Sequence, residues 1–194
     1  MEASTKILYR NIEVRYTKVT WTHKMQEKQA DIYIQKSKCI KKLTCWLTVI
    51  TAGGALASLS SIIPPFSVCG ITINIPVILT TVLPIILSYL TLRYGDGVLD
   101  TKAKDNRQYA ARVHNLRNLY ESLMYEIKAN LLSDEDIVNR RNDLEQQENS
   151  VYSEESPYTS KKAYKLAKKA LKIDKESTTE DDEIEAIVPK DLQL

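Results

Sequence analysis

The sequence predicts an all-α membrane protein: a two-helix transmembrane hairpin flanked by N- and C-terminal cytoplasmic helices that form a helical bundle. Three observations predict it. No residue between Lys42 and Arg93 carries a charge. Adjacent prolines, Pro64 and Pro65, interrupt that apolar run, with Gly70 close behind. Beyond it, apolar residues recur at alternating steps of four and three.

A helix crossing hydrocarbon needs about 20 apolar residues. The uncharged run is long enough for two crossings, and the two prolines, each lacking a backbone donor, divide it. The spans are therefore about 43–63 and 73–92, joined by a short uncharged link. A signal peptide does not fit, because forty or so mostly polar residues come first. Lys36, Lys38, Lys41 and Lys42 precede the first span; Arg93, Lys102, Lys104 and Arg107 follow the second. The tip has no cation. By the positive-inside rule both termini are cytoplasmic. Trp46, Tyr89 and Tyr94 then fall near the cytoplasmic interface, where amphipathic rings are favoured. The expected location is the bacterial inner membrane, with a multi-pass chain. Cys39, Cys45 and Cys69 read as small apolar filler and not as a disulfide framework.

The chain divides into an N-terminal cytoplasmic helix (1–42), the hairpin (43–92), C-terminal cytoplasmic helices (93–173) and an acidic tail expected to be disordered (174–194). Residues 8–42 lack glycine and proline. Leu8, Ile12, Val19, Ala30 and Ile34 recur at helical spacing, imperfectly around Thr20 to His23. After the second span, "RYGDG" brackets Asp96 with two glycines, Gly95 and Gly97, a local weakness that reads as a hinge; Asp96 is a candidate cap. Tyr109, Val113, Leu116, Tyr120, Leu123, Ile127 and Leu131 form an apolar seam that wants a partner helix. Ser133 and Asp136 signal a new helix to about Ser150, polar nearly all round. Thr159, after Pro157, is the expected cap of a last helix, Ser160 to Ile173, with Ala163, Tyr164, Ala167, Ala170 and Leu171 on one side and six lysines. The first 173 residues carry net +8 and the tail −6, which together give the chain its +2. That tail either merely solvates, folds back on the lysine helix, or competes for its partners.

No catalytic, cofactor or metal site is predicted, and the chain is not expected to be an enzyme. "GDG" lacks the strand and lysine of a nucleotide loop. His23 and His114 are each taken as single helix residues without a cysteine or carboxylate at ligand spacing. No potassium-filter sequence is present, and no direct nucleic-acid binding is expected.

The spans carry more. Thr44, Thr48, Thr51, Ala55 and Ser58 set small, mostly hydroxyl side chains on one face of the first span, and Gly53, Ala57 and Ser61 form a second row of small residues suited to close helix packing. In the second span Pro84 removes the helix hydrogen bond that would run to the Thr80 carbonyl, and Thr80, Pro84 and Ser88 share a face. Both faces either pack one span on the other or, in an assembly of several hairpins, line a water-filled path. Such a pore has no charged ring and would discriminate poorly among ions.

This order of parts resembles the SLATT domain, the two-transmembrane effector domain associated with SMODS nucleotidyltransferases and SLOG proteins in bacterial conflict systems. The likeness is carried by "KKLTCWLTVITAGGALASLSSI", "YAARVHNLRNLYESL" and "VYSEESPYTSKKAYKLAKKAL", the last through Tyr152, Pro157, Thr159, Ala163, Tyr164 and Ala167. It covers about Leu8 to Lys172. The resemblance implies an oligomeric, pore-forming effector of an antiphage, abortive-infection system, triggered by a nucleotide second messenger or by a separately encoded sensor such as a nucleotidyltransferase or reverse transcriptase. A fused sensor domain is not found in this sequence. The alternatives are a non-conducting membrane adaptor that recruits a cytoplasmic partner and, less well matched to the long polar flanks, a phage holin.

Overall fold

The computed structural model describes residues 3–52, 66–68, 71–73, 75–95 and 97–176. The element order is α1 (Ala3–Ala52), β1 (Phe66–Val68), β2 (Ile71–Ile73), α2 (Ile75–Tyr94), α3 (Val98–Lys128), α4 (Asp134–Ser153) and α5 (Lys161–Lys172). The chain forms two compact units. The first holds Met1–Asp31 and Lys104–Leu194, the second Ile32–Ala103.

The expected architecture is all-helical, and two short strands modify it. β1 and β2 pair antiparallel, with Phe66 opposite Ile73 and Val68 opposite Ile71. The sequence accounts for them: the residues after Pro65 are rich in β-branched types, which favour extended backbone. Helix resumes at Ile75 rather than at Ile73, with Pro76 in its first turn, where the missing donor is not needed.

The first unit is built on one apolar cluster. Tyr109, Val113, Leu116, Tyr120, Leu123 and Ile127 of α3 are buried against Ile12 and Val19 of α1 and Ile137 and Leu144 of α4. The stepwise spacing puts them on one helix face, which is why they can share a core. Leu131 does not join them and is 72% exposed. The reason is local: α3 ends at Lys128, and Asn130 takes φ +54°, turning the chain out of the seam. Ser133 caps α4 through a reciprocal capping box with Asp136. That helix reaches Ser153, and its polar sequence hides an inward stripe of Ile137, Leu144 and Glu148. The cap of α5 is Ser160 and not Thr159: its hydroxyl accepts from the Ala163 N–H at 3.2 Å. Ala163, Ala167 and Ala170 are buried, whereas Tyr164 stacks on Trp21 with ring centroids 5.6 Å apart.

The irregular stretch of α1 near His23 has a structural role. Gln26, Gln29 and Asn106 are buried amides that hold the turn before α5. Gln26 donates to the Pro157 carbonyl at 3.1 Å and accepts from Asn106, while Gln29 accepts from the Ser160 N–H at 2.9 Å. Polar residues sit inside here because every one of those contacts meets a backbone or amide group that burial would otherwise leave unpaired.

In the second unit, Leu47, Leu99 and Ala103 are buried. Asp100 accepts from Lys41 at 2.6 Å, and Lys36 lies over the Tyr94 ring at 4.8 Å. The Lys41 and Ser37 hydrogen bonds hold the Asp100 carboxyl below its ordinary value. Residues flanking the apolar stretch on either side are thus tied together.

Candidate functional site

Two places in the molecule carry functional potential, one in each unit.

In the second unit the hydroxyl row of α1 is self-contained. Thr44 donates to the Ile40 and Lys41 carbonyls at 3.0 Å each. Thr48 donates to Thr44 O at 2.8 Å, and Thr51 to Leu47 O at 2.8 Å. Each hydroxyl back-bonds onto its own helix, so none needs water or a neighbouring helix. Thr48 is exposed, whereas Thr44 and Thr51 are half-buried beside Leu47. Gly53, Ala55, Ala57, Ser58 and Ser61 lie outside the described residues, as do the Pro64–Pro65 break, Gly70 and Asp96.

On α2, Thr80, Pro84 and Ser88 are all exposed, and Leu83, Leu87 and Leu90 form the half-buried side. The surface of this unit is strongly apolar: Leu92 is 88%, Trp46 68% and Ile85 63% exposed. Among the described residues, one helix, counted from Thr80, is long and apolar enough to cross a membrane, and almost none of the residues of its apolar window is buried. Exposed apolar surface on this scale marks a region that meets lipid or another protein.

Between α2 and α3, Gly95 donates to Thr91 O at 2.7 Å and Gly97 has φ +71°. A Cβ on Gly95 would stand 2.3 Å from the Thr91 carbonyl oxygen. Both glycines are therefore demanded by backbone geometry, and alanine at either position forces a shift whether or not the segment acts as a hinge.

In the first unit an open cleft of about 600 Å³ is lined by His23, Lys24, Glu27 and Lys28 of α1, Arg107 and His114 of α3, and Glu176 beyond α5. Its parts are far apart in the chain, so no local sequence pattern joins them. The two histidines, taken as isolated, have ring centroids 4.9 Å apart. His23 also faces Glu27 one turn on, at 3.5 Å, so a carboxylate does lie at helical spacing from it. That spacing was the one available signal. The His23 hydrogen bond and the Lys24 ammonium hold the Glu27 carboxyl at about 2, against the cost of burial. Burial, then the neighbouring His23, pushes the His114 imidazole below its ordinary value. No cluster among the described residues has the groups to hold a metal ion.

Charge-assisted contacts dominate the cleft. Lys24 is only 7% exposed, and its ammonium lies 2.7 Å from Glu27 and 3.4 Å from Glu176. Lys28 reaches both Glu176 oxygens, at 2.8 and 2.9 Å. Arg107 stands 3.7 Å from Asp31.

No curated protein and no solved structure matches this chain. The family model described as SMODS and SLOG-associating 2TM effector domain family 4 matches residues 8–183. A unit with an apolar surface, a helical unit with one core and this match over most of the chain agree with one another, and the chain belongs to that family of two-transmembrane effector domains associated with SMODS and SLOG systems.

Proposed function

We propose that the chain is the membrane effector of a bacterial antiphage system, assembling into an oligomer that forms a regulated pore in the inner membrane. The observation that carries this reading is the exposed apolar band of the second unit, including Trp46, Ile85, Tyr89 and Leu92. Lipid covers that band. The spans are about 43–63 and 75–94, with both termini in the cytoplasm and the helices of the first unit forming a cytoplasmic bundle. The exposed faces bearing Thr48 and Thr80, Pro84 and Ser88 meet in neighbouring hairpins and line the path. The half-buried Thr44 and Thr51 support the helix beside it, Ser58 extends the lining, and Gly53, Ala57 and Ser61 give close packing. Threonine hydroxyls bonded to their own helix do not oppose this, because each oxygen keeps acceptor capacity for passing water.

The effector acts without catalysis. Its signal comes from a separately encoded sensor such as a nucleotidyltransferase or reverse transcriptase, directly or through a nucleotide second messenger. The Gly95–Gly97 segment passes that signal to the second span.

The test is membrane potential in bacteria expressing the chain, followed with a voltage-sensitive dye. Depolarisation is expected, and Thr48→Leu with Thr51→Leu and Ser58→Leu should abolish it while the protein still reaches the membrane. Intact potential with the neighbouring genes present would overturn the pore. It would favour a membrane adaptor, which the exposed lysine face of α5 would suit as a docking surface.

A further inference from the structure

The cleft of the first unit reads as a ligand site whose occupant is a piece of the chain itself. Glu176 arrives there by a defined route. At the end of α5, Ile173 donates to Lys169 O at 2.8 Å and Glu176 to Ala170 O at 3.0 Å, with Lys175 between them at φ +50°. That left-handed closure ends the helix and sends the Glu176 side chain across to Lys24 and Lys28 on α1. Its two oxygens then sit on the lysines as two oxygens of a phosphate would.

The charges of the cleft require an anion at that point. Lys24, Lys28 and Arg107 face Glu27, Asp31 and Glu176, a balanced set. Glu27 already serves His23 and Lys24, and Asp31 serves Arg107. Among the described residues, Lys28 forms its ion pair with Glu176, and without that carboxylate the set is left with one excess cation. The wall also carries two imidazoles whose Nδ1 atoms are buried without a hydrogen-bond partner among the described residues, that of His23 on a residue more than nine-tenths buried. A buried ring nitrogen without a partner is unusual. A volume of about 600 Å³ falls within the range of small-molecule pockets.

We propose that this cleft binds a phosphate-bearing small molecule, its phosphate on Lys24 and Lys28 in the place of the Glu176 carboxylate, and that Glu176 is the displaceable internal occupant. The hydrogen bond from Lys28 holds the Glu176 carboxyl below its ordinary value, so it is ionised at neutral pH and competes as an anion. Arg107 supplies donors, and the free ring nitrogens of His23 and His114 supply further polar contacts, for the remainder of the ligand. The inference stands apart from the pore: the cleft can bind such a ligand whether or not the chain conducts.

The test titrates inorganic pyrophosphate into the full chain in phosphatidylcholine nanodiscs, by calorimetry. Glu176→Gln, which removes the competing charge, should bind roughly tenfold more tightly than the parent, the scale of one charge-assisted contact. Lys28→Met should weaken binding by a similar factor or more, with unchanged helix content and thermal unfolding. Equal affinity of the parent and Glu176→Gln would overturn the proposal, as would absence of binding to Glu176→Gln. So would Lys28→Met binding as the parent does. A second set of nanodiscs containing phosphatidic acid separates the two sources of the phosphate. Weaker apparent pyrophosphate affinity there assigns the cleft to a lipid headgroup, and unchanged affinity assigns it to a soluble ligand.

Discussion

The two units use the same helix-forming chemistry to opposite ends. In the first, apolar side chains turn inward: Tyr109, Val113, Tyr120 and Ile127 are buried, and several of the polar groups beside them are paired with one another. Tyr120, for example, donates to Glu148 at 2.7 Å, and Arg15 meets the same oxygen at 3.0 Å. Burial, then that hydrogen bond, pushes the Tyr120 phenol well above its ordinary range. In the second unit many large apolar side chains turn outward, Trp46, Ile85 and Leu92 among them, and the few charges are gathered at its ends, Lys41 on Asp100 and Lys36 over Tyr94. The first arrangement is stable in water because apolar area is removed from it. The second is stable only where something apolar replaces water at its surface. Composition averaged over the chain hides this contrast.

The sharpest way to break the comparison is one substitution made in both units. Ile127→Ala in the first should cost about 3 kcal/mol, within the range for isoleucine truncated in a packed core. Ile85→Ala in the second, at a side chain already 63% exposed, should leave the unfolding of the first unit unchanged. Denaturation of the full chain in detergent, followed by circular dichroism, reads both. Equal losses would show that the outward apolar face belongs to a common core.

A smaller effect is expected at the turn before α5. Gln29→Ala removes the acceptor of the Ser160 N–H, in a position almost closed to water. An unsatisfied buried donor costs about 2 kcal/mol, and Gln29→Glu, which keeps an acceptor oxygen, should recover part of it. If Gln29→Ala melts with the parent, the amide cluster does not hold α5 in place.

The smallest effect is at Glu27. Its carboxyl lies at about 2 in the folded chain, against 4.5 ordinarily. A depressed carboxyl contributes stability that is complete above its ordinary value and is lost as pH falls toward its folded value. The parent should therefore lose melting temperature between about pH 4.5 and 2 more steeply than Glu27→Gln. Because the side chain is still 41% exposed, solvent weakens the pairing and the difference should be modest. Parallel curves would mean that His23 and Lys24 do not favour the ionised form.

Much of the first unit was legible in the chain. The seam from Tyr109 to Ile127 follows from spacing alone, because a helix places residues three and four apart on one face whatever they later meet. The Ser133–Asp136 cap is equally local. So is the uncharged stretch, since charge in hydrocarbon is costly wherever the rest of the chain goes. The misreadings are of a different kind. Leu131 has the right spacing, but the turn at Asn130 takes it out of the seam. Thr159 and Ser160 are both good caps, and the choice between them falls to Gln29, more than a hundred residues away in sequence. The threonines of α1 look like a free hydroxyl face until their bonds to the carbonyls of the preceding turn are seen.

What the sequence by itself determined, then, is which long stretches are helical, which of their faces are apolar, and which stretch avoids charge. Each depends on neighbours within a turn or two. Tertiary structure alone decided that His23 meets His114 and that Glu176 lies on Lys24 and Lys28. Those meetings join residues that share no periodic pattern. They arise because α1, α3 and the residues after α5 line one cleft, and packing, not spacing, chooses which side chains face each other there.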